Sequence, residues 1–235
     1  MTIANQDHPE ARLNTVHARV RDAAQAAGCD PREIAILAVS KAHPAERIRA
    51  LQALGQRAFG ENYLAEAEAK IRELCELDPP ISWHFIGAIQ SNKTRAIAEH
   101  FDWVQTVDRL KIARRLSDQR PASLDPLQVC IQVNVDGEEQ KAGCPLDGVA
   151  ELAAAVSELP GLRLRGLMTL PRPREGFAAQ REPFRVLREA FEGLCQAGYE
   201  LDTLSMGMSA DLEAAVAEGA NLLRVGTALF GERPV

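Results

Sequence analysis

Hydrophobic residues follow two spacings along this chain, short continuous runs and longer segments with apolar positions three or four residues apart. Residues 34–40 (IAILAVS) form a continuous apolar run, which is typical of a parallel strand buried on both faces. The next segment begins at Pro44, ends at Gly55 and places Ile48 and Leu51 on one helical face. The two segments together predict one β-then-α unit.

The same unit recurs through the rest of the chain, after a first helix predicted over about residues 9–28. Further strands are predicted at 57–62, 83–87, 102–107, 127–135, 163–170, 203–207 and 221–226. Each gap leaves room for a helix and its return, without a long irregular loop. Eight right-handed β-α units close into a (β/α)8 barrel, the TIM-barrel fold.

The competing architecture is an open, doubly wound sheet, which would bind its ligand where the strand order reverses. No G-x-G-x-x-G motif follows the first strand to favour it. Residues 127–135 alternate apolar and polar side chains, as a half-solvated antiparallel strand does, but inside a barrel the polar face would line the interior. We therefore expect an α/β fold in one domain, 1–235, with the barrel at about 34–231.

Composition excludes several classes of protein. The 235 residues are 46% hydrophobic, enough to bury a full core, and the net charge of −6 argues against a nucleic-acid groove. No apolar run approaches the ~20 residues that span a bilayer, and the polar N-terminus predicts a cytoplasmic protein. Five cysteines without a C-x-x-C pair and five histidines without an H-x-x-x-H pair argue against a metal site.

Lys41 ends the first predicted strand, and barrel proteins place their function at the C-terminal ends of strands. A lone lysine at such a position is most often solvated. If it is held inside the barrel mouth and partly desolvated, its amine can attack an aldehyde.

Two glycine-containing turns follow the last two predicted strands. Gly207 and Ser209 lie in the first turn, and Gly226 and Thr227 lie in the second. Each turn alone could be an ordinary helix cap, but a phosphate site shared by the last two loops recurs in this fold. A lysine and a phosphate site together imply a phosphorylated aldehyde, for which pyridoxal 5′-phosphate (PLP) is the obvious candidate. Arg224 points to the same side as Gly226, where it could form an ion pair or donate to the ring nitrogen of PLP.

Seven motifs between about residues 34 and 231 resemble, in order and spacing, those of the YggS/PROSC family of PLP homeostasis proteins. They are AVSK, FGENY, WHFIGxxQSNK, FDWVQTVDR, GLMTL, LSMGMSxDxExA and RVGTALFG. The family is itself similar to the N-terminal barrel domain of alanine racemase. The resemblance implies that Lys41 carries PLP as a Schiff base and that Arg224 faces the ring nitrogen.

The resemblance also implies roles for other residues of the motifs. Ser209, Gly226 and Thr227 would hold the phosphate, and Gly207 would shape the turn. Asn62 would lie beside the ring or its hydroxyl, and Met168 would pack near the ring. His84 would orient the strand-three loop or contact the ligand, and Lys93 would accept PLP transiently or face solvent.

The leading hypothesis is a cytoplasmic, monomeric PLP carrier that serves PLP homeostasis and delivers the cofactor to apo-enzymes without required turnover. We expect no nucleic-acid or membrane partner. The first alternative is a PLP-dependent amino-acid racemase, which needs a second acid–base group opposite the lysine. The second is an aldolase that uses Lys41 directly on a sugar phosphate.

Overall fold

A closed barrel of eight parallel strands forms the centre of the computed structural model, which describes residues 8–138 and 142–232. The strands are β1 (Ala35–Val39), β2 (Ala58–Glu61), β3 (Ser82–Phe85), β4 (Trp103–Val107), β5 (Leu127–Asn134), β6 (Leu162–Met168), β7 (Thr203–Ser205) and β8 (Leu222–Val225). Each strand pairs with the next along the chain, and β1 pairs with β8 to close the circle. The predicted barrel is confirmed, and the open sheet is excluded.

Helices surround the barrel. They are α1 (Pro9–Ala27), α2 (Ala45–Ala53), α3 (Leu64–Glu73), α4 (Thr94–His100), α5 (Leu110–Gln119), α6 (Val149–Ser157), α7 (Phe177–Gln196), α8 (Leu212–Ala217) and α9 (Thr227–Phe230). The extra helix α1 contacts α8 and α9 and so covers the outside of the barrel where it closes. It begins with Pro9 at its first turn and ends at Gly28, whose φ of 71° suits a left-handed cap.

The core lies between the outer surface of the barrel and the helices. In α1 the buried residues Leu13, Val16 and Val20 recur at helical spacing and face this core. Burying one such side chain stabilises the fold by about 1.5–3 kcal/mol. The ring of helices is therefore held to the barrel mainly by apolar contact.

Strand β5 carries the alternating apolar and polar side chains that fit either a half-solvated strand or a strand of a closed barrel. Val129 and Ile131 belong to the core under the helices. Gln128 Oε1 accepts a hydrogen bond from Arg165 Nη1 on the neighbouring strand β6, at 2.7 Å. Cys130 is fully buried inside the barrel, and burial raises its pKa to about 12. The polar face thus lines the barrel interior, as expected for a closed barrel.

Some element boundaries differ from the prediction. Strand β7 ends at Ser205 because Gly207 adopts a φ of +90°, which is incompatible with an extended strand. The segment 90–101 is predicted as the helix after β3, but the helix begins only at Thr94, so residues 90–93 lie in a loop. A two-residue strand at Cys144–Pro145, which pairs with β5, was not predicted. Within the described ranges, no helix is both long and apolar enough to cross a membrane.

Candidate functional site

A cavity of about 260 Å³ opens at the C-terminal ends of the strands. It is lined by Val39, Lys41, Asn62, Ile86, Leu170, Met208, Ser209, Ala210, Arg224, Gly226 and Thr227. Six of the ten residues for which a role is predicted from the sequence are among them. The barrel therefore brings the lysine, the arginine and both glycine-containing turns to one cavity.

Lys41 lies in the turn between β1 and α2, partly buried. The next residue, Ala42, adopts a φ of 63°, an unfavourable conformation for a residue with a Cβ. Its N–H donates to Glu66 Oε1 at 2.6 Å, and Lys70 Nζ donates to the carbonyl of Ser40 at 2.8 Å. Helix α3 thus holds the backbone on both sides of Lys41.

The anchor behind this turn is a buried ion cluster formed by Glu61, Glu66 and Lys70. Lys70 Nζ lies 2.7 Å from Glu61 Oε1 and 2.5 Å from Glu66 Oε1, and Ser40 Oγ donates to Glu61 Oε1 at 2.6 Å. Burial raises the pKa of the Glu61 carboxyl, and the neighbouring ammonium of Lys70 opposes this shift. The cluster was not predicted from the sequence. The sequence signal for this cluster is Glu61, a carboxylate at the end of a strand that is otherwise buried.

The turn after β7 is shaped by a glycine and an aspartate. A Cβ on Gly207 would lie 2.5 Å from Ala215 Cβ, and the φ of +90° also favours glycine. The Asp211 carboxylate accepts from the N–H of Met208 at 2.6 Å and closes the turn that presents Ser209. Gly207 does not line the cavity, so its contribution is to the shape of this turn.

The turn after β8 leads directly into helix α9, with Gly226 as its N-cap and Thr227 as its first residue. The N–H groups of a first helical turn have no partner within the helix and carry partial positive charge. Ser209 Oγ accepts from the N–H of Ala228 at 3.4 Å, which joins the two turns. Hydroxyl and N–H donors of both turns are therefore adjacent, as an anion such as a phosphate requires.

Arg224 lies on β8 and is only 3% exposed. Its Nη1 donates to Ser205 Oγ and its Nη2 donates to the carbonyl of Thr169, both at 2.7 Å. Burial lowers the pKa of Arg224 to about 10, so the guanidinium is still charged at neutral pH. These contacts use two of the five N–H donors of an arginine.

Asn62, which directly follows β2, contributes an acceptor to the cavity. Its Oδ1 is buried and has no hydrogen-bond partner among the residues that the structure describes. Such an atom favours a ligand that carries a donor, because an unpaired buried acceptor is costly. Gly87 lies against Asn62, where a Cβ would be 2.0 Å from the Asn62 carbonyl oxygen. Gly87 was predicted only as a strand end, but its lack of a side chain permits this close approach.

Met168, His84 and Lys93 lie elsewhere. Met168 is fully buried, pairs in register with Ser205 and does not line the cavity, whose apolar lining includes Met208. His84 is buried inside the barrel, with its ring stacked on Trp103, and does not line the cavity. Lys93 is exposed at the N-cap of α4.

The chemistry of these residues fits PLP. The cavity offers an amine for the aldehyde, anion-binding turns for the phosphate, a fixed cation for the ring nitrogen and an unpaired acceptor for the ring hydroxyl. Within the described part of the chain, no three His, Cys, Asp or Glu side chains are grouped as metal ligands would be.

Comparison with known proteins gives a consistent result. The family model of the alanine racemase N-terminal domain matches residues 12–234. The pyridoxal phosphate homeostasis protein of Pseudomonas aeruginosa is 60% identical over 218 residues, which cover 93% of each chain. The chain belongs to the pyridoxal phosphate homeostasis protein family. The family member of Escherichia coli K12 is 53% identical over 94% of this chain and 95% of its own.

Several solved structures share the fold. PipY of Synechococcus elongatus, solved without PLP, is 38% identical and superimposes with a TM-score of 0.84 over 95% of this chain and all of its own. The PipY structure with PLP bound superimposes with a TM-score of 0.79 over 91% of this chain and all of its own. Alanine racemase of Clostridium difficile, at 14% identity and a TM-score of 0.71, shares the barrel fold over 97% of this chain and 58% of its own.

Proposed function

We propose that this protein binds PLP through Lys41 and serves PLP homeostasis, by holding the reactive aldehyde and releasing it to apo-enzymes. The observation that carries the proposal is the single cavity onto which Lys41, Arg224 and the two anion-binding turns open. The names of its relatives support it, as does the PipY structure with PLP bound.

Each residue has a defined role in this proposal. PLP supplies an aldehyde that condenses reversibly with a primary amine, with loss of one water. Lys41 supplies that amine, and the anchored turn around it limits where the amine can lie. Ser209, Gly226 and Thr227 hold the phosphate, with Gly207 shaping the first turn.

The ring is held from its two sides. Arg224 faces the ring nitrogen, and because arginine stays protonated it keeps that nitrogen unprotonated. Asn62 accepts from the ring hydroxyl. An unprotonated ring is a poor electron sink, which suits storage of PLP better than carbanion chemistry.

Racemisation is the less favoured alternative. A racemase of this kind needs an acid–base group on each face of the substrate. Tyr63 is 62% exposed, and Tyr199 packs against the core under the helices. Among the described residues that line the cavity there is no tyrosine. We infer that the protein acts as a carrier and needs no turnover, as one barrel domain, monomeric and cytoplasmic.

The test is borohydride reduction of the protein loaded with PLP, followed by peptide mapping. We expect one pyridoxyl group, on Lys41, and none after Lys41→Ala. Lys93→Ala is the matched control, because Lys93 is exposed and outside the cavity, and should label as the unaltered protein does. Modification mainly at another lysine would refute the proposal. Trapping only with a sugar phosphate would favour the aldolase.

Delivery and turnover need separate assays. When the loaded protein is mixed with an apo-enzyme that requires PLP, the apo-enzyme should regain activity faster than the diluted protein releases PLP by itself. Incubation with single L-amino acids should leave their chirality unchanged. Steady racemisation that Lys41→Ala abolishes would favour the racemase over the carrier.

A further inference from the structure

A chain of buried polar side chains runs from Arg224 through the inside of the barrel, below the cavity. Arg224 Nη1 lies 2.7 Å from Ser205 Oγ, Ser205 Oγ lies 2.6 Å from Gln105 Oε1, and Gln105 Nε2 lies 2.9 Å from His84 Nδ1. The four residues come from β8, β7, β4 and β3, so the chain crosses the barrel from one wall to the other.

The hydrogen bonds of this chain all point the same way. A guanidinium can only donate, so Ser205 Oγ accepts from Arg224 and gives its own hydrogen to Gln105 Oε1. The amide nitrogen of Gln105, Nε2, then donates to His84 Nδ1. His84 must therefore be a neutral imidazole that carries its proton on its own Nε2. Burial lowers the pKa of His84 to about 3, so the imidazole is neutral at physiological pH.

Burial makes the chain costly to break. Ser205 and Gln105 are completely buried, and Arg224 and His84 are 3% and 4% exposed. Loss of one member leaves a buried donor or acceptor without its partner, and the penalty is larger when the partner is charged. His84 is fixed in turn by Trp103, with their ring centroids 5.1 Å apart and nearly parallel.

We infer that Ser205 and Gln105 are positioning residues that hold the Arg224 guanidinium in the orientation that meets the ring nitrogen of PLP. Two anchors on different terminal nitrogens, Ser205 Oγ and the Thr169 carbonyl, fix the plane of the guanidinium. Gln105 keeps the Ser205 hydroxyl turned so that its lone pairs face Arg224. The inference rests on the proposed function, because it assigns these residues a role toward PLP.

The test uses Ser205→Ala and, independently, Gln105→Leu in the full-length protein. The matched control is Thr203→Val, which removes a buried hydroxyl on the same strand. This hydroxyl donates to Asp202 and takes no part in the hydrogen-bonded chain from Arg224 to His84. Ser205→Thr keeps the hydroxyl and should restore the behaviour of the unaltered protein. Circular dichroism identifies any variant that fails to fold, in which case the other variant decides.

Two measurements are made on each variant. The first is the dissociation constant for PLP from a fluorescence titration, and the second is the ¹⁵N NMR shift of PLP labelled at the ring nitrogen. Ser205→Ala and Gln105→Leu should weaken binding about 10- to 100-fold, the loss expected for one hydrogen bond to a charged group. They should also move the ¹⁵N resonance, which a purely structural role in the barrel would leave in place.

The outcomes separate the two proposals. A protein that binds no PLP at all would refute the proposed function. Unaltered protein that binds PLP, with both variants matching it in affinity and ¹⁵N shift, would overturn only the positioning role. An equal change in Thr203→Val would also overturn it, because the effect would then come from packing inside the barrel.

Discussion

Lys70→Met is the substitution that most directly tests how the turn around Lys41 is built. Lys70 donates to Glu61, Glu66 and the carbonyl of Ser40, and its side chain is 7% exposed. Methionine fills a similar volume but carries no charge. The variant therefore leaves Glu61, whose side chain is fully buried, without its counter-ion.

The size of the effect follows from that burial. Removing one partner of a buried ion pair costs about 3–5 kcal/mol, because the remaining charge is uncompensated. A chain of this length loses about 2–4 °C in Tm per kcal/mol, so the loss in Tm is about 6–20 °C. The Ser40 carbonyl also loses a donor, and we expect PLP binding to weaken because the turn that carries Lys41 is less firmly held.

The destabilisation should increase with pH. Burial already raises the pKa of Glu61 in the folded protein, and loss of the Lys70 ammonium raises it further. A carboxyl with a folded pKa above its unfolded value binds more protons in the folded state, so stability is lost as pH rises from the unfolded pKa toward the folded one. Lys70→Met should therefore lose more stability relative to the unaltered protein at pH 8 than at pH 5.

The assay is urea unfolding followed by circular dichroism at both pH values. Lys70→Met with Glu61→Gln removes both charges and should recover most of the lost stability at pH 8. Lys111→Met, which removes an exposed lysine on α5, is the control and should change stability by less than about 0.5 kcal/mol. A loss below about 1 kcal/mol for Lys70→Met, or a loss independent of pH, would refute this account of the cluster.

Three further substitutions test other parts of the fold. Gly207→Ala should lower the free energy of unfolding in urea by about 1–3 kcal/mol and weaken the binding of inorganic phosphate, because Gly207 has a φ of +90° and an added Cβ would meet Ala215. Unchanged phosphate binding would contradict the role given to this turn. Gly166→Ala should prevent folding or lower the Tm by more than 10 °C, since the added Cβ would lie 1.8 Å from the Thr203 carbonyl oxygen. A near-normal melting curve would show that β6 and β7 can separate. Asp136→Asn should speed proteolysis within residues 171–176, because the buried Asp136 carboxylate accepts hydrogen bonds from Arg172 N and Arg174 Nη2. An unchanged cleavage rate would mean that this carboxylate does not restrain the loop.

Spacing along the chain was sufficient to predict the fold. Each β-then-α unit carries its own signals, as with the apolar run at 34–40 and the Pro44 and Gly55 that bound the following helix. Parallel strands that follow one another through right-handed crossovers have few ways to close, so local patterns were enough to predict a barrel. The positions of Lys41, Arg224, Ser209 and Thr227 at strand ends followed from the same reasoning.

Contacts between distant residues were decided only by the tertiary structure. Lys70 resembles any charged residue on a helix, and Gln105 and Ser205 resemble ordinary strand residues, until the barrel brings their strands and helices together. The placement of Met168 below the cavity depends in the same way on strand register. The physical reason is that periodicity reports which face of an element is buried, whereas the identity of a buried polar group's partner depends on closure of the whole barrel.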